Sequence, residues 1–459
     1  MIRSTRSRAL VALLAVLALV AAACGGGRDD EAGSGEDREV ASEGAGEAAA
    51  ELLHLDECDG DPSQGVTDDS IKIGSSFPQS GTFAAFAQIS TGYQAYFDYV
   101  NEELGGVDGR QIEFVALDDG YEPGRTATNA QRLVQEEEVF ALFNVIGTSN
   151  NTAIWDDLEE ECVPNLFAGT GSPLWGDPDH AWTIGSFPSY SLEAVMYANY
   201  LKENDPDATV ALLTQNDDFG QAYVETFNAE IEGTDISVVG EETYDFTNPD
   251  TTSQVTSLAA TDADAVVLGT TALACPNALN AINGTNWEPT IFISGTCTSP
   301  TLVGLAEPGA AEDIISVTSF MDPRDPQWAD EPAMQEFLEL GAQYGGPDID
   351  LENTIVAYGW TMGALLVETL TRAGELTGDG SLTRAAVMEA ALSLDGVVAG
   401  VSLPTSPVTT VLGEDKFPLE LLQLMQYSED LGYYEFLGDV QDFEGQTAEL
   451  TPESLLTVS

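Results

Sequence analysis

The sequence predicts an α/β protein of two lobes, each a parallel sheet flanked by helices. β-Branched segments such as IKIGSSF, which starts at Ile71, alternate with segments of helical periodicity. Such alternation is typical of parallel sheets whose strands are joined by crossover helices. A second series of the same kind starts at about Ser189. The roughly 390 residues that follow residue 66 are also too many for one ordinary core, which favours two lobes.

The elements of the first series follow one another closely. After IKIGSSF, apolar side chains recur at helical spacing, and further strands are predicted at QIEFVAL, VFALFNV and VPNLFAG. The apolar face of the first helix consists of Ile89, Tyr93, Phe97, Val100 and Leu104.

The second series contains the predicted strands TVALLT, ISVVGEETY, DAVVLG and TIFISG. Helices that begin near Phe219, Thr251 and Pro276 separate them. Further along the chain, LENTIVAYGWTMGALLVETLTRAG predicts a long helix with an apolar face. The segments LLQLMQY and YYEFL predict two strands that we assign to the second lobe.

The N-terminal region has the pattern of an export signal. Three arginines among the first eight residues precede an apolar run that ends at Ala23. The run is about 15 residues long, short of the roughly 20 that a membrane-spanning helix needs. We therefore predict a signal peptide at residues 1–23. Residues 24–66 are predicted to be a flexible tether, because their Gly, Ala, Ser, Asp and Glu residues offer little apolar surface to bury.

Four cysteines besides Cys24 predict two disulfides, since an even number in an exported protein is typical of a disulfide framework. Three connectivities are possible. We favour Cys58 with Cys162 and Cys275 with Cys297, because the second pair follows consecutive predicted strands whose ends could meet. Metal ligation is the alternative, but no second sulfur or histidine lies at a short ligand spacing, so no metal site is expected.

The formal net charge of −64 is extreme. Such an excess of acid repels nucleic acid and anionic lipid head groups, and nucleic acid is not an expected partner. The acids are spread along the whole chain, which favours a solvated surface suited to a saline exterior. A site for cationic ligands is the alternative interpretation.

The sequence does not favour an enzyme. His54 and His180 are the only histidines, so neither a histidine-based triad nor a zinc cluster has its parts. The patterns G-x-S-x-G and G-x-x-x-x-G-K-[ST] do not occur, and GTGSPL departs from the dinucleotide pattern at its last glycine. We expect no catalytic residues and no cofactor.

One run of the first series carries a family resemblance. From Ile71 to Pro123 the order is strand, Ser80-Gly81 turn, helix, the glycine turn GGVDGR, strand and the acidic pair Asp118-Asp119. This order resembles the opening of leucine-binding-protein-like periplasmic-binding proteins of the branched-chain amino acid type, the extracytoplasmic receptors of ABC importers. The resemblance continues in VFALFNVIGTSNN, VPNLFAGTGSPLWGDP and LLTQNDDFG, and covers roughly residues 68–400.

The resemblance implies a type I periplasmic-binding-protein fold with three hinge crossings, near Gly185, Ser319 and Gly400. The long helix after the second crossing should then return to the first lobe. The implied division of the chain is residues 67–186 and 320–400 for the first lobe and residues 187–319 and 401–459 for the second.

Cys24 and the small residues before it resemble the lipobox of bacterial lipoproteins. In that motif the cysteine is lipidated and becomes the new N-terminus, which implies anchoring at the extracytoplasmic face of the cytoplasmic membrane. The sequence departs from the motif at Ala21, where leucine is usual. Ordinary secretion without lipidation is the alternative.

Three small, hydroxyl-rich loops follow predicted strands of the first lobe. They are Ser80-Gly81-Thr82, Gly147-Thr148-Ser149-Asn150 and Gly169-Thr170-Gly171-Ser172. The carboxyl ends of parallel strands are where ligands bind in open sheets, and N–H groups with hydroxyls form a neutral cradle for a carboxylate. The alternative is that these residues serve only as turn and N-cap formers.

The resemblance assigns roles within these loops. Thr148, Gly169 and Gly171 would hold the ligand's head group, Phe86 would cover the ligand, and Phe219 would flank the site from the second lobe. The predicted ligand-binding residues are Ser80, Phe86, Thr148, Ser149, Gly169, Thr170, Gly171, Ser172, Phe219, Thr271 and Thr296.

Thr296 departs from the family pattern. Amino acid binders carry an acid at this position, which pairs with the ligand's ammonium group; an uncompensated buried ammonium is costly, so Asp217 or Asp218 would have to substitute. Trp175 and Tyr190 are two further aromatic residues at predicted cleft positions.

Together these observations predict a monomeric extracytoplasmic receptor. It would trap a small amphipathic solute, a branched-chain or other apolar amino acid first, between closing lobes and present it to the permease subunits of an ABC importer. A receptor for aromatic or aliphatic carboxylates or for amides is the alternative. A ligand-sensing module that serves signalling rather than transport is a further one.

Overall fold

The computed structural model describes residues 46–178 and 180–457. The predicted signal peptide, the predicted lipidation site Cys24 and the predicted tether as far as residue 45 lie outside the described residues. Within the described ranges, no helix combines the length and the apolar character that a membrane crossing requires.

The first sheet contains five strands, all parallel. They are β1 (Ser70–Phe77), β2 (Gln111–Asp118), β3 (Ala141–Phe143), β4 (Asn165–Ala168) and β5 (Thr183–Gly185). Their order in the sheet is β2-β1-β3-β4-β5. Because the strands are parallel, the loops after β1, β3 and β4 emerge at the same edge. We call this sheet and the helices packed on it the first lobe.

The second sheet contains seven strands and is the core of the second lobe. They are β6 (Thr209–Gln215), β7 (Ser237–Tyr244), β8 (Ala265–Gly269), β9 (Thr290–Ile293), β10 (Ile315–Thr318), β11 (Leu421–Ser428) and β12 (Tyr433–Asp442). Their order is β12-β11-β10-β9-β8-β6-β7.

The last two strands depart from the predicted all-parallel second sheet. Strand β11 runs antiparallel to β10, and β12 runs antiparallel to β11. A short turn that includes Gly432, at φ 78°, joins β11 to β12. Strands joined by so short a turn pair as an antiparallel hairpin, because parallel neighbours need a long crossover.

Helices cover both sheets. They are α1 (46–52), α2 (Ala87–Tyr99), α3 (Pro123–Gln135), α4 (Thr148–Glu160), α5 (Tyr190–Asn204), α6 (Asp218–Glu230), α7 (Thr252–Ala259), α8 (Ala274–Asn283), α9 (Pro300–Val303), α10 (Pro332–Tyr344), α11 (Thr354–Thr377), α12 (Arg384–Ala391) and α13 (Thr447–Leu450). A π-helical turn, Val100–Leu104, extends α2. Local signals explain several starts: Pro123 opens α3, and the Asp217 side chain accepts a hydrogen bond from Gly220 N to cap α6.

Helix α11 follows the second sheet's β10 in the chain but packs against α2 of the first lobe. The two helices cross at glycines, since a Cβ on Gly92 would lie 2.1 Å from Val356 O and one on Gly359 would lie 2.0 Å from Ile89 O. Only glycine allows such an approach of two backbones. The return of the long helix to the first lobe agrees with the expectation from the family resemblance.

The chain passes between the sheets three times: after β5, after β10 and before β11. The second and third crossings pair with each other, because Met321 N donates to Val401 O at 2.9 Å and Leu403 N donates to Ser319 O at 2.8 Å. Tyr358 of α11 reaches the first crossing, where its hydroxyl lies 2.7 Å from Ser186 Oγ. The crossings are thus tied to one another and to α11.

The structure joins Cys58 to Cys162 and Cys275 to Cys297, and the Cα atoms are 5.7 Å apart in both pairs. This is the pairing favoured from the sequence. The second disulfide links the segments that follow β8 and β9, which are neighbours in the second sheet.

The predicted tether extends too far along the chain. From residue 46 the chain is helical, and Ala49 and Leu53 are almost fully buried. Trp182 Nε1 donates to Leu53 O at 3.2 Å, and Cys58 is held by its disulfide. The correction has a local cause, because Ala, Glu and Leu favour a helix and residues four apart share one face of it.

Candidate functional site

A cavity lies between the two lobes at the carboxyl ends of their parallel strands. It contains about 1270 Å³ of space, its solvent-open mouth included. Segments that follow β2, β3 and β4 line it from the first lobe, and segments that follow β8, β9 and β10 line it from the second. This is the position where open parallel sheets bind ligands.

Six of the eleven predicted ligand-binding residues line this cavity. They are Phe86, Thr148, Gly169, Phe219, Thr271 and Thr296. The structure brings these residues together from both lobes, although they are spread over more than 200 positions of the sequence. Their role in binding stays a prediction.

The other five predicted residues are not among the described lining residues. Ser80 donates to Asp118 Oδ2 at 2.6 Å, and Ser172 accepts from Leu174 N to cap a helical turn. Thr170 is buried directly behind the lining, with its Oγ1 2.7 Å from Thr148 Oγ1.

Gly171 and Ser149 also have structural partners. A Cβ on Gly171 would lie 2.0 Å from Pro188 O, so glycine is needed where the loop meets the first crossing. Ser149 contacts the second lobe, as described below. Trp175, at a predicted cleft position, instead packs edge-on against Trp155 with ring centroids 5.3 Å apart, away from the described lining.

The polar end of the cavity is the start of α4. Gly147 precedes the helix at φ 101°, and a Cβ there would lie 2.6 Å from the Tyr121 ring. Thr148, the first residue of α4, lines the cavity. The first N–H groups of a helix have no partner within it and carry partial positive charge. Together with the Thr148 hydroxyl, they can bind a carboxylate.

An aromatic wall adjoins this polar end. Tyr121 stacks on Phe83 at a centroid distance of 3.6 Å, and Tyr190 meets Phe219 edge-on at 4.7 Å. Tyr121 has φ 65°, which is held by Asp119 Oδ1 accepting from Tyr121 N at 2.8 Å. Asp119, in the acidic pair Asp118-Asp119 at the end of β2, therefore has a structural role. Tyr121 itself was not predicted as a lining residue, and its only sequence signal is its position two residues after that pair.

A second, mostly apolar wall of the cavity comes from β11, β12 and the segment after β10, although Asp322 and Asp325 of that segment also line the cavity. Met321, Trp328, Met425, Tyr434 and Phe436 line it, and the Trp328 and Phe436 rings lie 5.9 Å apart. None of these residues was predicted. They belong to β11, β12 and the segment after β10, where the sequence gives a strand pattern but no sign of which side chains face a cleft.

A buried acid also lines the cavity. Glu193 of α5 is 1% exposed, and its Oε2 accepts from Tyr223 OH at 2.7 Å, Gly295 N at 3.0 Å and Tyr197 OH at 3.2 Å. Burial raises the pKa of this carboxyl to about 7, against the lowering effect of these donors. Its sequence signal is a lone acid in the otherwise uncharged segment from Tyr190 to Leu201.

The two acids expected to replace the one missing at Thr296 lie elsewhere. Asp217 accepts from Gln215 Nε2 at 2.7 Å and from Ser149 Oγ at 2.8 Å. Neither Asp217 nor Asp218 is among the described residues that line the cavity. That expectation is therefore not met by the geometry.

Comparison with known proteins identifies the family. The profile of the periplasmic binding protein family matches residues 70–430, which is more than three quarters of the chain. The chain belongs to this family. The resemblance inferred from the sequence and the two-lobed α/β fold are thereby confirmed, and family membership makes the protein an extracytoplasmic solute-binding receptor and not an enzyme.

Individual relatives of the family are distant. A leucine-, isoleucine-, valine-, threonine- and alanine-binding protein of Pseudomonas aeruginosa is 23% identical over 177 residues, 38% of this chain and 47% of that protein. The match thus spans about half the length of that relative.

Two solved structures show the same fold. The structure of a branched chain amino acid ABC transporter from Thermus thermophilus with bound valine has a TM-score of 0.73 at 20% identity, over 82% of this chain and 97% of the other. A fatty acid ABC transporter substrate-binding protein from Thermomonospora curvata has a TM-score of 0.71 at 19% identity, over 85% and 97%.

The side-chain contacts that join the lobes beside the cavity include two hydrogen bonds. Ser149 of α4 donates to Asp217 at the start of α6, and Asn353 Nδ2, before α11, donates to Thr301 Oγ1 of α9 at 2.8 Å. In binding proteins of this family the lobes close about a hinge, so contacts between the lobes favour the closed arrangement.

We predict that Ser149→Ala weakens ligand binding about tenfold. A hydrogen bond to a carboxylate contributes about 1.5 kcal/mol, and this one exists only when the lobes meet. Calorimetric titration with the ligand, together with the radius of gyration in solution, would measure it. Thr152→Ala is the matched control, because Thr152 Oγ1 donates within α4 to Ser149 O at 3.1 Å. Equal ligand affinities of the two variants would show that the Ser149–Asp217 hydrogen bond does not stabilise the closed form.

Proposed function

We propose that the protein captures an apolar amino acid of the branched-chain class between its lobes and delivers it to an ABC importer. The observation that carries the proposal is the amphipathic character of the cavity. It has a polar, carboxylate-binding site at the start of α4, and most of its other lining side chains are aromatic or aliphatic. A solute with a carboxylate at one end and an apolar body matches this arrangement.

The carboxylate would bind at Thr148 and the free N–H groups of α4, where the helix dipole favours negative charge. The apolar body would lie against Phe86, Tyr121 and Phe219, which are largely buried. Because these residues come from both lobes, the ligand would bridge them and shift the equilibrium between open and closed forms.

Delivery to an importer is the second part of the proposal. The permease would recognise the closed form, so that only loaded receptors are productive. The name of the Thermus thermophilus relative, a branched chain amino acid ABC transporter, supports this part. We further propose that a lipid on Cys24 holds the receptor, as a monomer, at the extracytoplasmic face of the membrane that contains the permease.

A longer aliphatic carboxylate is a second candidate ligand. The apolar wall formed by Met321, Trp328, Met425 and Phe436 extends the cavity beyond the aromatic wall at α4. The Thermomonospora curvata protein is a fatty acid ABC transporter substrate-binding protein by name, which also supports this candidate. Such a ligand would use the same carboxylate site and direct its chain toward the second sheet.

A thermal-shift screen of the purified protein in high salt tests the proposal. Leucine, valine, 4-methylpentanoate and decanoate would be compared with lysine and glutamate. A ligand at about 100 times its Kd should add roughly 2.7 kcal/mol to the free energy of unfolding and raise Tm by a few degrees. We expect leucine or valine to raise Tm and glutamate and lysine not to. Stabilisation by the charged amino acids alone would contradict the proposal.

A further inference from the structure

We infer that Glu193 binds the ammonium group of the ligand and so makes the site selective for α-amino acids over simple carboxylic acids. The inference rests on the proposed function, because it concerns the same cavity. It assigns the cationic subsite to a helix of the second lobe, whereas the family pattern would place the acid at Thr296.

The Glu193 carboxylate is held in a fixed position. Its Oε2 accepts from Tyr223 OH, Gly295 N and Tyr197 OH, while its Oε1 has no hydrogen-bond partner among residues 46–178 and 180–457. Oε1 lies 3.1 Å from the place that a Cβ on Gly295 would occupy, and both residues line the cavity. The absence of a side chain at Gly295 therefore leaves room in front of the free oxygen.

The surroundings of Glu193 supply no positive charge. The titratable groups that face it are Tyr190 and Tyr197 on its own helix and Tyr223 on α6. In the described part of the chain it forms no ion pair with Lys, Arg or His. A buried carboxylate without a counter-charge is costly, and a ligand ammonium would remove that cost.

The other acids near the cavity already have partners. Asp322 forms a salt bridge with Arg324, with Oδ2 2.8 Å from Nη2, and Asp325 caps the turn that contains Gln327. Asp217 is bound to Ser149 and lies outside the described lining. Among the acids of the described cavity wall, Glu193 alone combines deep burial with an oxygen that accepts no hydrogen bond.

Thr296 carries no charge and cannot pair with an ammonium group, but Glu193 lies next to the loop that contains Thr296. Gly295, which donates to Glu193, is the residue directly before Thr296. The Thr296 hydroxyl donates to Thr270 O at 3.2 Å. The carboxylate therefore reaches the same loop that carries the acid in the family pattern, but it comes from α5 instead of from the loop itself.

Titration calorimetry with leucine and 4-methylpentanoate tests the inference, because the two differ only by the amino group. At pH 8 we expect leucine to bind at least about tenfold more tightly, which corresponds to one good charge-assisted contact. Near pH 7 leucine binding should release a fraction of a proton, measured in buffers of different ionisation enthalpy, because the ammonium drives the partly protonated Glu193 to its ionised form.

Glu193→Gln should reduce the preference for leucine over 4-methylpentanoate by about tenfold or more and abolish the proton release. Glu420→Gln is the matched control, since Glu420 is another buried acid with its pKa raised to about 7 and is not among the described lining residues. If Glu193→Gln keeps the wild-type preference for leucine over 4-methylpentanoate, the inference is overturned. If the variant does not fold, the wild type still decides, because leucine binding without proton release would also overturn the inference. If the wild type binds neither probe, the proposed function itself fails.

Discussion

Replacing Gly359 by leucine is expected to destabilise the protein by about 3 to 5 kcal/mol. A Cβ at this position would lie 2.0 Å from Ile89 O and 2.9 Å from Ile89 C, which are backbone atoms that cannot move aside as a side chain end can. Helices α2 and α11 would have to separate, which exposes apolar surface along their contact. Leucine favours a helix more than glycine does, by roughly 0.8 kcal/mol. A loss of stability would therefore result from packing and not from helix propensity.

Urea denaturation followed by circular dichroism would measure this effect. Gly124→Ala is the matched control, because Gly124 lies in the first turn of α3 and a Cβ there meets no atom within 4 Å. The control should be neutral or stabilise by up to about 1 kcal/mol. Since α11 carries Ile355 and Tyr358 to the cavity, Gly359→Leu should also weaken ligand binding. Equal stabilities of the two variants would show that the helices can tolerate a wider separation.

The sequence was sufficient to predict the elements that follow from alternation and order. Strands β1 to β4 and β6 to β9 coincide with predicted strand segments, and the long apolar segment forms α11, whereas the short strands β5 and β10 were not predicted. The loops that contain Thr148 and Gly169 could be placed at a cleft because the carboxyl ends of parallel strands emerge at one edge. Topology alone fixes which loops meet there.

Which side chains face the cavity depends on packing that the sequence does not display. Thr148 lines the cavity while Ser149, its neighbour, turns to the second lobe, and Gly169 lines it while Thr170 is buried behind. In the sequence, Glu193 is only an isolated acid in an apolar helix. Its place at the cavity follows from the packing of α5 against β9 and β10. The part of the cavity wall that β11 and β12 contribute depends on a hairpin, which adds two antiparallel strands to the second sheet.

Helix α1 was missed for a related reason. Its residue types occur both in tethers and in helices, and the burial of Ala49 and Leu53, the hydrogen bond from Trp182 to Leu53 O and the disulfide at Cys58 hold it against the first lobe. Low apolar content predicts disorder for a segment on its own, but it carries no information about a complementary surface elsewhere in the chain.

Glu193→Gln is expected to stabilise the free protein at alkaline pH relative to the wild type. The pKa of Glu193 is about 7 in the folded protein and about 4.5 when unfolded, so between these values the folded state holds a proton that the unfolded state has lost. The stability that this proton contributes is present in full below pH 4.5 and is lost as pH rises through 7. The glutamine variant lacks this loss, so the stability difference between the two proteins should change by up to about 3 kcal/mol from pH 4.5 to 8.

Urea denaturation of both proteins at several pH values and constant high salt would measure the difference. Glu420, whose pKa burial also raises to about 7, contributes the same slope to both proteins and cancels. If the difference in the free energy of unfolding between the two proteins stays constant with pH, the ionisation of Glu193 costs no stability in the free protein. The proposed ammonium subsite would then lose its physical basis, because the ligand's charge offsets a cost that exists only if the buried carboxylate has no partner of its own. Saturating leucine should accordingly flatten the wild-type profile and leave that of the glutamine variant unchanged in shape.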